Sequence, residues 1–262
     1  MLGLKFPPIE KLIEWPSFWG DGEWHALNKI GLACLIATAI TIAIYMLAAR
    51  KSQASLVPAG VQNVAEVGIE FIDNQIIDQT MGEEGRGWNP FLLSIFWFVL
   101  IGNMFEIVPG WQMPSTARMA IPLILALTIW VAFIGTGIKH QGLGYFGHLL
   151  WPPGVPTALK PLVGLIEFVS TIFVTPFSLT VRLMANMLAG HILLVSFALL
   201  THALATAETQ QVFLVPMSIF PFLMLVGLTA FEILVSFLQA YIFTILAAVY
   251  ISNSIAGHGD DH

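Results

Sequence analysis

Charged residues are scarce in this sequence: they make up 10% of its 262 residues, against about 25% in a typical soluble domain. Its one cysteine, Cys34, excludes an intramolecular disulfide and a metal site built from cysteines. The net charge of −6 and the lack of a lysine–arginine cluster argue against nucleic acid as a partner. No G-x-x-x-x-G-K loop is present to hold a nucleotide phosphate, and no residue pattern requires a cofactor or a metal.

Hydrophobic residues, in contrast, make up 57% of the chain, which indicates an integral membrane protein. We predict an all-α polytopic fold, with residues 1–262 forming a single membrane domain. Five membrane helices are predicted, at 30–49, 90–108, 119–138, 161–202 and 212–254. The last two are about twice as long as an upright crossing requires, because about 40 helical residues extend about 60 Å. We therefore expect long and strongly tilted helices there, with Pro176 as a bend point.

Three segments outside these helices are also assigned. Residues 1–28 place charges among tryptophans, which is typical of the membrane–water interface, and they lack the apolar run of a cleavable signal peptide. Residues 82–88 and 139–160 are predicted to be loops. Residues 59–80 are predicted to form an amphipathic surface helix, since apolar residues recur there at helical spacing between acidic ones: Val61, Val64, Gly68, Phe71 and Ile72.

Basic residues set the predicted orientation of the chain. Arg50 and Lys51 directly follow the first predicted span, and paired bases at such a position mark the cytoplasmic side of a membrane. The N-terminal segment then lies outside, and five spans leave the C-terminus in the cytoplasm.

One arginine, Arg182, lies within the fourth apolar segment. A guanidinium stays charged, and holding it at bilayer depth costs from ~3 to above ~10 kcal/mol, which favours a functional role. His191 lies nine residues further along, so it points about 180° away and about 13 Å along the axis. The alternative is that Arg182 pairs with a buried acid and only holds helices together. Small and polar residues share the helix face of the arginine: Thr175, Ser178, Asn186 and Ala189.

The last predicted helix carries its own polar face, formed by Thr229, Glu232, Ser236 and Gln239. We place the two long helices antiparallel, with Gln239 level with Arg182. Glu232 then lies about 10 Å, and His191 about 13 Å, towards the outside. Two titratable groups at similar depth predict a proton relay, because histidine exchanges protons near neutral pH. The alternative is a purely structural Glu–His hydrogen bond.

Two further acids lie towards the ends of the predicted spans. Asn103 and Glu106 come at the outer end of the second span, where Glu106 is either an interfacial carboxylate or the lip of an aqueous entrance. Glu167 lies fifteen residues before Arg182, on the inner part of the same predicted helix. Acids on both sides of a permanent cation suggest two aqueous half-paths that do not connect.

Three stretches resemble the a subunit of F-type ATP synthase: PFSLTVRLMANMLAGH, EILVSFLQAYIFTILAAVYIS and GNMFEIVPG. Together they cover most of residues 90–254. The resemblance implies the stationary proton-channel subunit of the bacterial plasma membrane, with ATP chemistry on other subunits. It also implies one copy per complex, next to a rotating c-ring of proteolipid subunits and a b-type peripheral stalk.

The resemblance also implies roles for individual residues. Arg182 matches the essential arginine that faces the c-ring carboxylate, with Asn186 one turn on and Gln239 opposite. His191 and Glu232 match a coupled pair in the outer half-channel, although some members hold the acid and the imidazole in exchanged places.

On the inner side, the match to the family is less regular. Glu167 resembles the inner glutamate of the family, but its spacing to Arg182 is one residue longer. Thr175 stands where the family often carries a lysine or arginine, so the inner entrance lacks that charge.

Two other functions are alternatives to this one. A membrane haem protein would use His191 and His202, but both lie on one helix, whereas two axial ligands need facing helices. An ion-coupled secondary transporter would usually show repeated halves with broken helices, and none is visible. The histidine–glutamate pair favours H⁺ over Na⁺ as the transported ion, because imidazole relays protons and binds Na⁺ poorly.

Overall fold

The computed structural model describes residues 29–52, 60–108, 111, 113–142, 144–151, 156, 159–205 and 215–256. The predicted outer segment 1–28 lies outside this part of the chain. All regular structure in these ranges is helical, which confirms the all-α prediction. The α-helices longer than one turn are α1 (Lys29–Ser52), α2 (Val61–Ile72), α3 (Asn89–Met104), α4 (Ala120–Gln141), α5 (Gly144–Leu150), α6 (Lys160–Val169), α7 (Thr175–Ala205) and α8 (Ile219–Ala256).

Within the described ranges, five helical stretches are long and apolar enough to cross a membrane, as the sequence predicted. They are Lys29–Leu47, Gly85–Met104, Ala120–Gln141, Lys160–Ala205 and Val215–Ile255. The fourth and fifth contain 46 and 41 residues, so their unusual length is confirmed, whereas their tilt stays a prediction. The second helix ends at Met104, earlier than predicted, because the chain turns there through backbone hydrogen bonds from Glu106 to Asn103 and from Ile107 to Met104.

Both predicted loops contain helical structure, so these two predictions were wrong. Residues Gly82–Trp88 form a 3₁₀-helix that leads directly into α3. Gly85 approaches the Met81 side chain so closely that a Cβ would collide with it, which explains how so tight a turn fits there. Within 139–160, α4 continues to Gln141 and the short helix α5 follows. Tyr145 of α5 is buried and its ring covers Gly137, so tertiary contacts hold a helix that glycine-rich sequence disfavours.

The predicted amphipathic segment is helical. Helix α2 continues through a π-helix, Asp73–Ile77, and a last turn, Asp78–Thr80. Its buried positions are Gln62, Ala65, Gly68, Ile72, Ile76 and Ile77, whereas Val64 is 47% exposed. Gly68 allows close packing on the buried face, since the Trp97 ring lies 3.1 Å from where its Cβ would be.

A π-helix also interrupts the arginine-bearing stretch. Residues Ser170–Val174 join α6 to α7 in this conformation, directly before Pro176. Proline has no N–H to donate, so a change of hydrogen-bonding pattern in the turn before it is physically expected. The i→i+5 pattern of a π-turn takes one residue more than an α-turn. It can therefore absorb the extra residue between Glu167 and Arg182.

The hydrophobic core lies where the C-terminal half of α8 packs against α3, α4 and α7. Small residues of α8, Ala240, Ala247 and Ala248, are fully buried and let its neighbours approach closely. The N-terminal half of α8 contrasts with this, because most of its large apolar side chains are exposed, among them Phe220, Leu223 and Phe231. The core thus holds α7 and α8 side by side and leaves their outward faces open.

Candidate functional site

Arg182 lies on the outward face of α7 and is exposed. Within the described ranges its guanidinium forms no hydrogen bond or ion pair, so the alternative of a structural pair with a buried acid finds no support there. Ala185 and Ala189 beside it are also exposed. Small side chains around a cation leave room for another helix to approach it closely.

The opposite face of α7 is packed into the protein. Leu183 and Met187 are fully buried, and His191 is 2% exposed. The cation and the imidazole therefore lie on opposite sides of one helix, in agreement with their nine-residue spacing. Thr175 and Ser178 lie half-buried at the N-terminal end of α7.

A hydrogen bond joins the two long helices next to the arginine. Asn186 Nδ2 donates to Gln239 Oε1 at 2.6 Å. The glutamine amide thus pairs with the residue one helical turn beyond Arg182. Gln239 is only 2% exposed, so this bond ties the exposed arginine face to the interior.

Glu232 occupies a notch in α7 made by a glycine. A Cβ on Gly190 would lie 2.6 Å from the Glu232 Cδ and Oε1 atoms and 2.7 Å from Oε2. The carboxylate therefore rests against the backbone directly before His191. The glutamate itself is 4% exposed. Glu232 and His191 are therefore both buried, close to each other along α7.

Buried polar atoms without a protein partner run along the inward face of α8. They are Glu232 Oε2, Ser236 Oγ and Gln239 Nε2, judged over the described residues. These three residues follow one another at i, i+4 and i+7, so they form a single stripe. Buried polar groups in native proteins are nearly always hydrogen-bonded, to protein or to water. The stripe is therefore chemically suited to hold a file of water molecules ending at Asn186.

Glu106 extends this polar region beyond the end of α3. It is 2% exposed, and neither of its carboxylate oxygens has a partner in the described part of the chain. Burial raises the pKa of Glu106 above its ordinary value, and the negative charge of Glu232 raises it further. The two glutamates are therefore close enough for their charges to interact.

Glu167 lies apart from this region, on α6 towards the other end of the molecule, and is half-buried. The Tyr145 phenol of α5 has its pKa raised mainly by burial. A hydrogen bond with the Ser254 side chain lowers that pKa, and the negative charge of Glu167 raises it. Gln141 Nε2 donates to the Ser254 carbonyl at 3.3 Å. Helices α4, α5, α6 and α8 therefore meet around Glu167.

Two of these residues were not singled out from the sequence. Gly190 gave no signal beyond its position before His191, because the need for a glycine comes from the opposing carboxylate. Tyr145 lay in a segment predicted to be a loop, where nothing indicated burial.

These features define a class: a multi-pass helical membrane protein in which an exposed arginine on a long apolar helix lies beside a buried stripe of titratable and amide side chains. Comparison with known proteins supplies the family. The sequence model of the family described as ATP synthase A chain matches residues 31–252.

Individual relatives agree with that match. Subunit a of ATP synthase from Frankia alni is 39% identical over 263 residues, covering 97% of this chain and 86% of the relative. The same subunit from a Parafrankia species is 43% identical over 213 residues, covering 80% and 70%. That from Rhodococcus erythropolis is 40% identical over 240 residues, covering 90% and 84%. The chain belongs to the ATP synthase subunit a family, as its resemblance implied, and is a membrane subunit of the F-type complex.

Proposed function

We propose that this chain is the stationary proton-conducting subunit of an F-type ATP synthase in the bacterial plasma membrane. Two aqueous half-paths, open to opposite sides, lead to a rotating ring of proteolipid c subunits, and Arg182 separates them. One copy acts per complex, held by a b-type peripheral stalk subunit, and ATP chemistry takes place on other subunits. The observation that carries the proposal is the buried stripe from Glu232 to Gln239, which ends beside the exposed arginine.

The outer half-path runs from Glu106 past Glu232 and His191 to Gln239 and Asn186. The glutamates and the imidazole can take up and release a proton, and the amides of Gln239 and Asn186 can hydrogen-bond to water that carries it. The Glu232 carboxylate lies against the backbone directly before His191. Protons arriving there neutralise a carboxylate of the ring. A neutral carboxyl group then rotates into lipid at much lower cost than an anion.

The inner half-path passes Glu167, with Thr175 and Ser178 between it and the arginine. A ring carboxyl group that returns after nearly a full turn releases its proton here. Glu167 is half-buried, so part of its side chain is open to the surroundings of this chain. A π-turn at Ser170–Val174 can accommodate one extra residue, which supports this role despite the longer spacing.

Arg182 acts as attractor and barrier. Its positive charge attracts the carboxylate that has just lost its proton. Because a guanidinium does not deprotonate near neutral pH, it makes a poor relay and prevents protons from passing directly between the half-paths. The membrane potential supplies about 2.3 kcal/mol per charge per 100 mV for the transfer.

The arginine role is tested by ATP-driven proton pumping in inverted membrane vesicles containing the whole complex. Arg182→Ala should abolish pumping while the complex still assembles. Arg86→Ala, which removes an exposed arginine from the 3₁₀-helix before α3, is the matched control and should pump normally. Coupled pumping by Arg182→Ala would refute the proposal.

The outer pair is tested by replacing both Glu232 and His191 with apolar residues. This double variant should take up protons more slowly from the outer side during ATP synthesis. Unchanged proton flux would reduce the pair to a structural contact.

The identity of the transported ion is tested by measuring ATP synthesis in sodium-free buffer. Activity that requires added Na⁺ would contradict a proton path.

A further inference from the structure

The π-turn Ser170–Val174 withdraws the helical hydrogen-bond partners of one backbone carbonyl, that of Thr171. An α-helical carbonyl accepts from the N–H four residues further on, and a π-helical carbonyl accepts from the N–H five residues further on. For Thr171 these positions are Thr175 and Pro176. The Thr175 N–H donates to the Ser170 carbonyl instead, and proline has no N–H. The Thr171 carbonyl therefore depends on a donor from elsewhere in the protein.

A side chain of α4 supplies that donor. Trp130 donates from its indole Nε1 to the Thr171 carbonyl oxygen at 3.2 Å. The two residues lie 41 positions apart in the sequence, so the bond is a tertiary one. The Trp130 ring is half-buried and packs against the hydrophobic core, which fixes its position. Because an unsatisfied carbonyl within a bilayer is costly, the indole stabilises the π-turn where the proline interrupts the backbone bonding.

The π-turn sets the direction of Glu167 relative to Arg182. It lies between α6, which carries the glutamate, and α7, which carries the arginine. Each residue of an α-helix turns the side-chain direction by about 100°, and a π-turn takes one residue more than an α-turn. Without the π-turn, Glu167 would therefore point about 100° away from its present direction around the helix axis.

We propose that Trp130 is a positioning residue for the inner half-path. Its indole N–H holds the π-turn, and the π-turn holds the Glu167 carboxylate in the direction from which it receives protons released beside Arg182. An indole N–H is only a donor, so Trp130 acts through the backbone and takes up no proton itself. This inference rests on the proposed role of Glu167 in the inner half-path.

Trp130→Phe tests the inference, because it keeps an aromatic ring and removes the N–H. The assay is ATP synthesis by the intact complex in proteoliposomes, with the proton concentration varied on the side where ATP forms and fixed on the other side. Trp130→Phe should lower the proton concentration that halves the rate by about threefold to tenfold, the size expected for one net hydrogen bond. The dependence on protons at the opposite side should stay as in the parent, whereas a general loss of packing would change both.

Another tryptophan provides the matched control. Trp97 of α3 has a buried indole Nε1 atom with no hydrogen-bond partner among the described residues. Trp97→Phe makes the same chemical change without removing a hydrogen bond. It should leave the proton dependence on both sides as in the parent.

Restoring a backbone donor should make the indole dispensable. In a Pro176→Ala background, position 176 regains the N–H that lies five residues after Thr171. There, Trp130→Phe should add less than about twofold to the change, because the two donors serve the same carbonyl. Parental proton dependence on both sides in Trp130→Phe would overturn the inference, and so would an equal loss in the Pro176→Ala background.

Glu167→Gln distinguishes a failure of this inference from a failure of the proposed function. If Glu167→Gln leaves the dependence on protons at the ATP-forming side unchanged, the inner half-path through Glu167 is refuted, and the inference falls with it. If Glu167→Gln changes that dependence and Trp130→Phe does not, only the role of the indole is refuted.

Discussion

Replacing Gly190 by alanine tests how closely the outer path depends on the placement of Glu232. The new Cβ would lie 2.6 Å from the Glu232 Cδ and Oε1 atoms. The carboxylate must then retreat by about 0.8 Å, the difference between 2.6 Å and the 3.4 Å at which ordinary van der Waals contact begins. Overpacking of this kind costs about 1–3 kcal/mol, and the better helix propensity of alanine returns about 1 kcal/mol. The variant should therefore fold and assemble.

Its proton transfer should suffer more than its stability. A misplacement near 1 Å of a reacting group lowers a rate by up to about a hundredfold, so Gly190→Ala should slow ATP-driven pumping by about tenfold or more. Gly227→Ala in α8 is the matched control, because nothing lies within 4 Å of its added Cβ. The assay is acidification of inverted vesicles, normalised to the amount of assembled complex. If Gly190→Ala pumps as fast as Gly227→Ala, the argument from the glycine notch is refuted.

Three further outcomes are expected. Gly137→Val should destabilise the detergent-solubilised complex by about 1–3 kcal/mol, because its Cβ would lie 2.6 Å from the Tyr145 ring. The measurement is the midpoint of thermal unfolding, which should fall. An unchanged midpoint would show that α5 moves aside at no cost. Asn89→Ala removes the 2.6 Å hydrogen bond to Asp73 and should cost about 1–3 kcal/mol in the same measurement, whereas a cost near zero would mean water replaces the amide. Gln239→Leu removes the partner of Asn186 and should slow proton pumping with little loss of assembled complex, and equal rates would contradict its place in the path.

Hydropathy predicted much of the fold because every span lies in the same kind of environment, an apolar one. Runs of about 20 apolar residues can only be satisfied by crossing lipid as helices, so all five spans were found. Helical spacing also separated the faces of α7 correctly, with Arg182 exposed and His191 buried. Residue spacing is enough to assign these two faces, because each residue of an α-helix turns the side-chain direction by about 100°.

Features set by tertiary contact could not be predicted. The short helix α5 exists because Tyr145 covers Gly137, and neither residue predicts this contact alone. The packed face of α2 is set by Trp97 against Gly68, a contact that the spacing of apolar residues does not indicate. Likewise Gln239 pairs with Asn186, and helix register alone does not indicate which side chain of the facing helix it reaches.

The central claim, that Arg182 divides two half-paths, is tested most directly by passive proton conduction. Vesicles would carry the membrane sector stripped of its ATP-hydrolysing part, and a potassium diffusion potential would drive protons across it. If the arginine is a barrier, Arg182→Ala should conduct protons at least as fast as the parent sector, although the intact complex no longer pumps. A variant in which passive conduction disappears together with pumping would contradict the account, because the guanidinium would then be a step on a single continuous path.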